Sequence, residues 1–312
     1  MKQNQYIYNV NYQYHEEELC ALEIKSLFNF HLEGKVFFSS KQVDPSISPF
    51  LKNRLEIIYK TSSFLEITQL IEKDKIASHH FIVKYLELLS DDLSFKKRRE
   101  ICKEVGLRID GEPSFSSAEN TFGISFYKGS WYFGILVANN SIWRDHNMKP
   151  YSYSSSIGIN IAKALINIAG NGDFSKRLID PCCGVGTVLL EGLFAGYDIR
   201  GWEINSKVAE NAIGNLRHFN YLPKVTTGDI QDIQENFDVS IVDLPYGIFS
   251  ETNVENQIKI IKNAKRISKK VVLVSTNNIT DQIVREKLKI TDYCKVSKCR
   301  DSKFIRYIWV CE

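Results

Sequence analysis

The chain has 312 residues, 44% of them hydrophobic and 25% charged, and a formal net charge of +3. That length suits two or three domains with sizeable cores, the apolar and charged fractions are those of an ordinary globular protein, and the net charge is too small to argue for a nucleic-acid partner. The sequence has no run of about 18 apolar residues of the kind a membrane span needs, no apolar stretch behind the polar start Met1-Lys2-Gln3-Asn4-Gln5-Tyr6 that would mark a signal peptide, and seven cysteines without zinc-like spacing, so no metal is expected and reduced thiols in a cytoplasmic protein are the simple reading.

Residues 6–14 alternate with period two and predict a strand. Glu16 to Phe30 predicts an amphipathic helix with Leu19, Leu22, Leu27 and Phe28 on one side. Val36–Phe38 and Leu55–Tyr59 predict further strands, and Phe64 to Lys73 a helix. Strand–helix–strand–strand–helix predicts a ferredoxin-like α+β domain over residues 1–75. In residues 76–149, Phe81–Leu86 predicts a strand and Phe95–Val105 a helix. Phe122–Tyr127 and Trp131–Val137, joined by Lys128-Gly129-Ser130, predict a hairpin with a glycine turn. His79, His80 and His146 read as surface or loop residues, and the many Tyr and Phe of this half read as core.

Charge distribution says more than the sum. Residues 1–150 hold 19 Lys+Arg and 19 Asp+Glu, whereas Lys259 to Arg306 holds 14 basic and 4 acidic residues. That region is a candidate for phosphate contact; a Lys-rich solvated helix face explains Lys259–Lys270 equally well. Lys96-Lys97-Arg98-Arg99, near Glu100 and Glu104, reads either as an RNA contact or as charge pairing on a helix.

From residue 150 the pattern becomes alternating helix and strand. Lys149 to Ile157 leads into a predicted helix from Gly158 to Ala169, with Ser155 or Ser156 as a plain N-cap or as part of a ligand-covering segment. Arg177-Leu178-Ile179 is a short apolar strand that runs into Asp180-Pro181-Cys182-Cys183-Gly184-Val185-Gly186-Thr187 and then an apolar helix. Glycines at 184 and 186 clear the backbone for a ligand, and the next helix presents its N-terminal N–H groups to the gap. About 20 residues on, at the distance of a ribose-binding carboxylate, Glu203 ends a second strand, with Ile204 after it. Asp229 and Ile230 end a third. Phe237–Val242 predicts a buried strand that stops at Asp243-Leu244-Pro245-Tyr246-Gly247. A carboxylate, main-chain carbonyls and an aromatic ring within a few residues suit an exocyclic amine on a planar base: Asp243 and the Leu244 or Pro245 carbonyl accept its two N–H groups, and Tyr246 stacks. A tight turn is the alternative reading of the segment alone; the glycine turn upstream, in this order, favours the functional one. Val271–Ser275 predicts a fifth strand, and Tyr293–Val296 with Phe304–Val310 a terminal antiparallel pair, in which Cys294 and Cys299 read as strand residues.

Asp-Pro-x-Cys-Gly-x-Gly-Thr, a strand-end acid, Gly-Asp and Asp-x-Pro-Tyr-Gly, in that order, resemble a class I S-adenosylmethionine-dependent methyltransferase. Within that class the motifs most resemble the Rossmann-fold RNA methylases that act on guanine N2 in tRNA. The resemblance implies a Rossmann-like α/β domain over residues 150–312, a mixed sheet with an antiparallel C-terminal strand. It would follow the ferredoxin-like region 1–75 and a reduced THUMP-like, RNA-binding region, 76–149. It implies S-adenosylmethionine as cofactor and RNA, tRNA first, as partner. Asp180, Cys182, Gly184, Gly186 and Thr187 would line the methionine end, Glu203 would hold the ribose hydroxyls, Asp229 and Ile230 would flank the adenine, and Ile204 would be a further cofactor-binding residue. Asp243, Pro245 and Tyr246 would hold the target base. Leu244 stands where the wider amino-methylating pattern has proline, as in the guanine-N2 enzymes, Cys182 where Phe is common, and Glu203 where Asp is frequent. The rival readings are an rRNA guanine-N2 or DNA adenine-N6 methyltransferase, a small-molecule or protein amine methyltransferase, and a catalytically silent RNA-binding protein.

Overall fold

The computed structural model describes residues 5–89, 93–154, 156–245, 254–297 and 304–312. In chain order the elements are β1 (Tyr6–Val10), α1 (Glu17–Phe28), β2 (Val36–Ser39), β3 (Leu51–Thr61), α2 (Phe64–Lys73), β4 (Ala77–Tyr85), α3 (Phe95–Gly106), β5 (Asp110–Pro113), β6 (Asn120–Tyr127) and β7 (Ser130–Ala138). There follow α4 (Ile159–Gly170), β8 (Arg177–Asp180), α5 (Thr187–Phe194), β9 (Asp198–Glu203), α6 (Ser206–His218), β10 (Val225–Thr227), β11 (Phe237–Asp243), α7 (Val254–Ile267), β12 (Ser268–Ser275), α8 (Thr280–Arg285), β13 (Ile290–Ser297) and β14 (Ile305–Cys311).

The chain divides into two compact units. One comprises residues 1–11, 32–46 and 50–140, the other 12–31, 47–49 and 141–312. The expected boundaries lie at 75/76 and 149/150, whereas these units divide elsewhere. The seven described strands of the first unit join one sheet, ordered β2-β1-β3-β7-β6-β4-β5, so the two expected N-terminal regions share a single layer. The sheet is antiparallel from β2 through to β6, and β4 pairs in parallel with β5 and β6. Helices α2 and α3 supply Ile67, Ile71, Ile101 and Val105 to a core shared with Phe81, Phe122 and Phe133.

Helix α1, expected in the first domain, belongs to the second unit. The reason lies in α4, which is buried nearly all round, from Ala162 to Gly170. A helix with no solvated face must be covered on every side, and α1 packs on α4 and on β13. Glu23, buried on α1, accepts hydrogen bonds from Ser48 Oγ (2.6 Å) and Asn167 Nδ2 (2.6 Å). On the β13 edge, the N–H of Lys295 donates to Glu18 (2.8 Å), and Lys25 pairs with Asp292. An otherwise open strand edge is thereby covered.

The second unit's sheet runs β10-β9-β8-β11-β12-β14-β13. Strands β8 to β12 are parallel to one another, while β14 runs antiparallel between β12 and β13. Parallel strands with helices on their faces are buried on both sides and read as continuous apolar runs; Val271 to Val274 are fully buried accordingly. Ser240, a fully buried polar residue inside β11, pairs its hydroxyl with that of Ser268 (2.9 Å).

The basic stretch Lys259–Lys270 is engaged within this unit. Arg266 donates to the carbonyls of Ile230, Gln231 and Ile233, Lys265 to those of Glu286 and Lys287, and Lys270 to the carbonyls ending α4. These bonds favour the structural reading of that stretch over phosphate contact. In α3, Arg98 likewise forms a two-pronged pair with Glu87 (2.6 and 2.9 Å). Among the described residues no helix is long and apolar enough to cross a membrane.

Candidate active site

The strand order of the second unit reverses between β8 and β11, which lie side by side yet are followed by chain leading in opposite directions across the sheet. Ligands of open α/β sheets bind at the carboxyl ends of strands at such a reversal. Asp180 ends β8 and Asp243 ends β11, Glu203 ends β9, and Asp229 follows β10 by two residues. Four neighbouring parallel strands thus deliver four carboxyl groups to one edge. A cleft of about 1240 Å³ opens there, lined among others by Cys182, Gly184, Glu203, Asp229, Asp243 and Pro245. Ligand pockets commonly hold about 300–1,000 Å³, so the space suits a nucleotide-sized cofactor together with a base.

The floor is the glycine turn. Gly184 and Gly186 have φ of +54° and +78°, a region that penalises side chains. A Cβ on Gly184 would project into open space, whereas one on Gly186 would lie 3.2 Å from Ala212 Cβ on α6. The first glycine leaves the cleft clear and the second lets α5 approach α6. Glu203 locks this turn: Oε2 accepts from Gly184 N–H (2.9 Å) and Oε1 from Asn205 N–H (2.9 Å). Each oxygen keeps a lone pair for a ligand hydroxyl. Asn205 in turn caps α6 by accepting from the N–H groups of Lys207 and Val208.

Asp180 is almost completely buried, does not line the cleft, and accepts from Cys182 N–H (3.2 Å), closing the turn from below. Burial, and then the charges of Asp243 and Glu203, push its carboxyl well above the usual range; the Cys182 N–H works the other way. Gly186 and Thr187 also lie outside the cleft lining. Burial, followed by the surrounding carboxylates, pushes the Cys182 thiol up as well, so it stays protonated and is no nucleophile. Asp229 accepts from Gln231 N–H (3.0 Å) and pairs with Lys259 Nζ (3.3 Å). Leu244 N–H still bonds Val274 O (2.9 Å) while its side chain is fully buried, and Pro245, without an N–H, ends the pairing. Tyr246, Ser155 and Cys299 lie outside the described residues.

The cleft also has walls beyond the strand ends, of which the sequence announced only the segment before α4. His15 and Glu16, from the N-terminal segment of this unit, line it, with Glu16 accepting from Asn160 Nδ2 (3.1 Å). Tyr153, Ser154 and Ser156 line it from the segment before α4. His146, expected at the surface or in a loop, is buried in a short 3-10 helix, Ile142–Met148. Its Nδ1 lies 2.6 Å from Glu191 Oε1, and its ring packs edge-on against Phe194 and Phe219. A lone histidine beside an aromatic gives no sequence signal for this; its acidic partner is 45 residues away. Among the described residues no three His, Cys, Asp or Glu side chains are placed closely enough to hold a metal ion together.

Residues 146–297 match the RMKL-like methyltransferase domain family, UPF0020. A tRNA (guanine(10)-N2)-dimethyltransferase of Methanothermobacter thermautotrophicus is 30% identical over 230 residues, 68% of each chain. A protein of the same name from Methanocaldococcus jannaschii is 22% identical, covering 78% of this chain and 71% of its own. Among solved structures, TrmN from Thermus thermophilus superposes with a TM-score of 0.47 at 12% identity, covering 99% of both chains. The reversal point, the glycine turn and the match over two thirds of a 30% identical relative lead to one conclusion: this chain belongs to the RMKL-like methyltransferase family.

Proposed function

We propose that this protein methylates the exocyclic N2 amine of a guanosine in tRNA, in the cytoplasm, with S-adenosylmethionine as methyl donor. The observation that carries the reading is Asp243, which ends β11 at the reversal point, lines the same cleft as Glu203 and the glycine turn, and is followed by Leu244-Pro245. The names of the two archaeal relatives support the substrate.

The cradle fits the cofactor: an open glycine backbone, a carboxylate with free lone pairs at the end of the next strand, and apolar walls at Ile204 and Ile230. Glu203 would hold the ribose hydroxyls, Asp229 the adenine amine, and Cys182 and Gly184 the methionine end, with Asp180, Gly186 and Thr187 shaping the turn behind them. When bound, the cofactor supplies an electrophilic methyl on a sulfonium. The protein supplies orientation. A guanine amine is a weak nucleophile because its lone pair is delocalised into the ring. Asp243 and the Leu244 carbonyl would accept its two N–H groups, freeing that lone pair and stabilising the positive charge that develops on nitrogen. Tyr246 would stack on the base, which must first be unstacked from the RNA. The protonated Cys182 thiol favours direct transfer over a route through an enzyme thiolate.

The test is transfer of labelled methyl from S-adenosylmethionine to unmodified tRNA, with nucleoside analysis of the product. N2-methylated guanosine is expected, formed about 10²–10³-fold more slowly by Asp243→Ala. Label in adenosine, or in ribosomal RNA or DNA alone, would overturn the substrate. Undiminished turnover by Asp243→Ala would overturn the site.

A further inference from the structure

We propose that Asn215 is a positioning residue that holds the segment 149–154 against the cofactor side of the cleft; the inference rests on the methyltransferase reading above. Asn215 lies near the end of α6 and is fully buried. Asparagine is a poor helix former, and a buried amide costs stability unless its groups are bonded. Here three bonds form. Oδ1 accepts from Tyr151 N–H (2.9 Å), while Nδ2 donates to Tyr151 O (2.9 Å) and to Val185 O (2.8 Å). The amide takes the place of a neighbouring strand for Tyr151 and, with the same nitrogen, grips the middle residue of the Gly184-Val185-Gly186 turn. A half-turn of the amide would set its oxygen against two carbonyls and its nitrogen against an N–H, so the pattern admits one orientation.

The neighbours on α6 are shaped for the same contact. Asn211, one turn earlier, donates to Tyr153 Oη (2.7 Å). Gly214 makes room for the Tyr151 ring, since a Cβ there would lie 2.7 Å from Tyr151 Cε2. Val185 lines the floor of the cleft and Tyr153 and Ser154 its wall. One buried side chain therefore sets the spacing between floor and wall. The cleft is held ready, rather than ordered by the ligand on arrival, which raises affinity by raising the population competent to bind.

The test uses the full chain, with titration calorimetry against S-adenosylmethionine and hydrogen exchange of the unliganded protein at the Tyr151 amide. Asn215→Asp keeps size and shape but removes both donors and sets a carboxylate against two carbonyls. Its Kd is expected to rise about tenfold, the factor produced when the competent population falls to about one tenth, and Tyr151 is expected to lose protection while β9 and β11 keep theirs. Gly214→Ala is the second variant. Alanine favours the helix, so a purely structural role predicts an unchanged or higher melting temperature and unchanged affinity. The proposal predicts weaker cofactor binding despite that stability. Wild-type affinity in both variants overturns the proposal, as does loss of protection in Asn215→Asp that spreads equally through β9 and β11. Failure of the wild type itself to bind S-adenosylmethionine would overturn the methyltransferase reading instead, leaving the exchange at Tyr151 to judge the anchor.

Discussion

Among the described residues each unit contains a seven-stranded sheet, yet only one of the two gathers acidic strand ends at a cleft. In the second unit five adjacent strands run the same way, so their carboxyl ends fall on one edge and four acidic residues meet there. In the first unit most neighbours are antiparallel, strand ends alternate between edges, and polar groups answer one another locally. Asn53 bonds Asn9, Asn120 bonds Ser78, and Asn139 bonds the carbonyls of Pro45 and Leu51. Strand direction, more than composition, decides whether end-of-strand side chains converge.

That contrast can be broken at four places. Phe133, fully buried and stacked between Tyr59 and Phe122, anchors the first unit. Phe133→Ala should cost about 3–5 kcal/mol in denaturant unfolding and leave S-adenosylmethionine affinity unchanged; a comparable loss of affinity would show that the two sheets do not divide stability and chemistry between them. Asp243→Ala should lower kcat by about 10²–10³-fold, the effect of removing one group that stabilises developing charge, with little change in cofactor Kd.

Glu23 tests stability in the second unit. Burial raises its carboxyl to about 7, against the opposing bonds from Ser48 and Asn167. Between the ordinary carboxylate range near 4.5 and that value, the folded state holds a proton that the unfolded state has released. Stability should therefore fall as pH rises through this window and level off above it, by on the order of 3 kcal/mol. Glu23→Gln should flatten the slope in unfolding curves measured from pH 4 to 8 (about two units either side of the window's centre); an unchanged slope would mean the group ionises freely. The smallest effect is expected of Glu203→Gln, which sets an amide N–H against the N–H of Gly184 or Asn205. Cofactor Kd should rise about 10- to 100-fold, as for loss of a charge-assisted bond, with unfolding nearly unaffected. Equal affinity would remove Glu203 from the ribose site.

Much of this was legible in sequence because the signals are local. Helix α2 runs over Phe64–Lys73 as its periodicity predicts, and the 122–127/131–137 hairpin lies within β6 and β7. Asp180 and Asp243 were visible because each ends a short apolar run that reads as a buried strand, and Glu203 and Asp229 because of their spacing from the glycine turn and their place at strand ends. Strand β5, Asp110-Gly111-Glu112-Pro113, gave no signal, being wholly exposed and containing glycine and proline. The placement of α1 was missed because an amphipathic helix announces that it needs a partner and not which one. Glu23 and Asn167, whose bond fixes that choice, are 144 residues apart.

The sequence by itself determined most of the element types, the glycine turn and the acids at the strand ends, since each depends on residues within a few positions of one another. Only the tertiary structure decided which helix covers α4, that His15 and Glu16 reach the cleft, and that Asn215 ties its wall to its floor. Those outcomes depend on which buried polar groups find partners across long stretches of chain, and a hydrogen bond between residues 64 positions apart, such as that of Asn215 with Tyr151, leaves no periodicity to read.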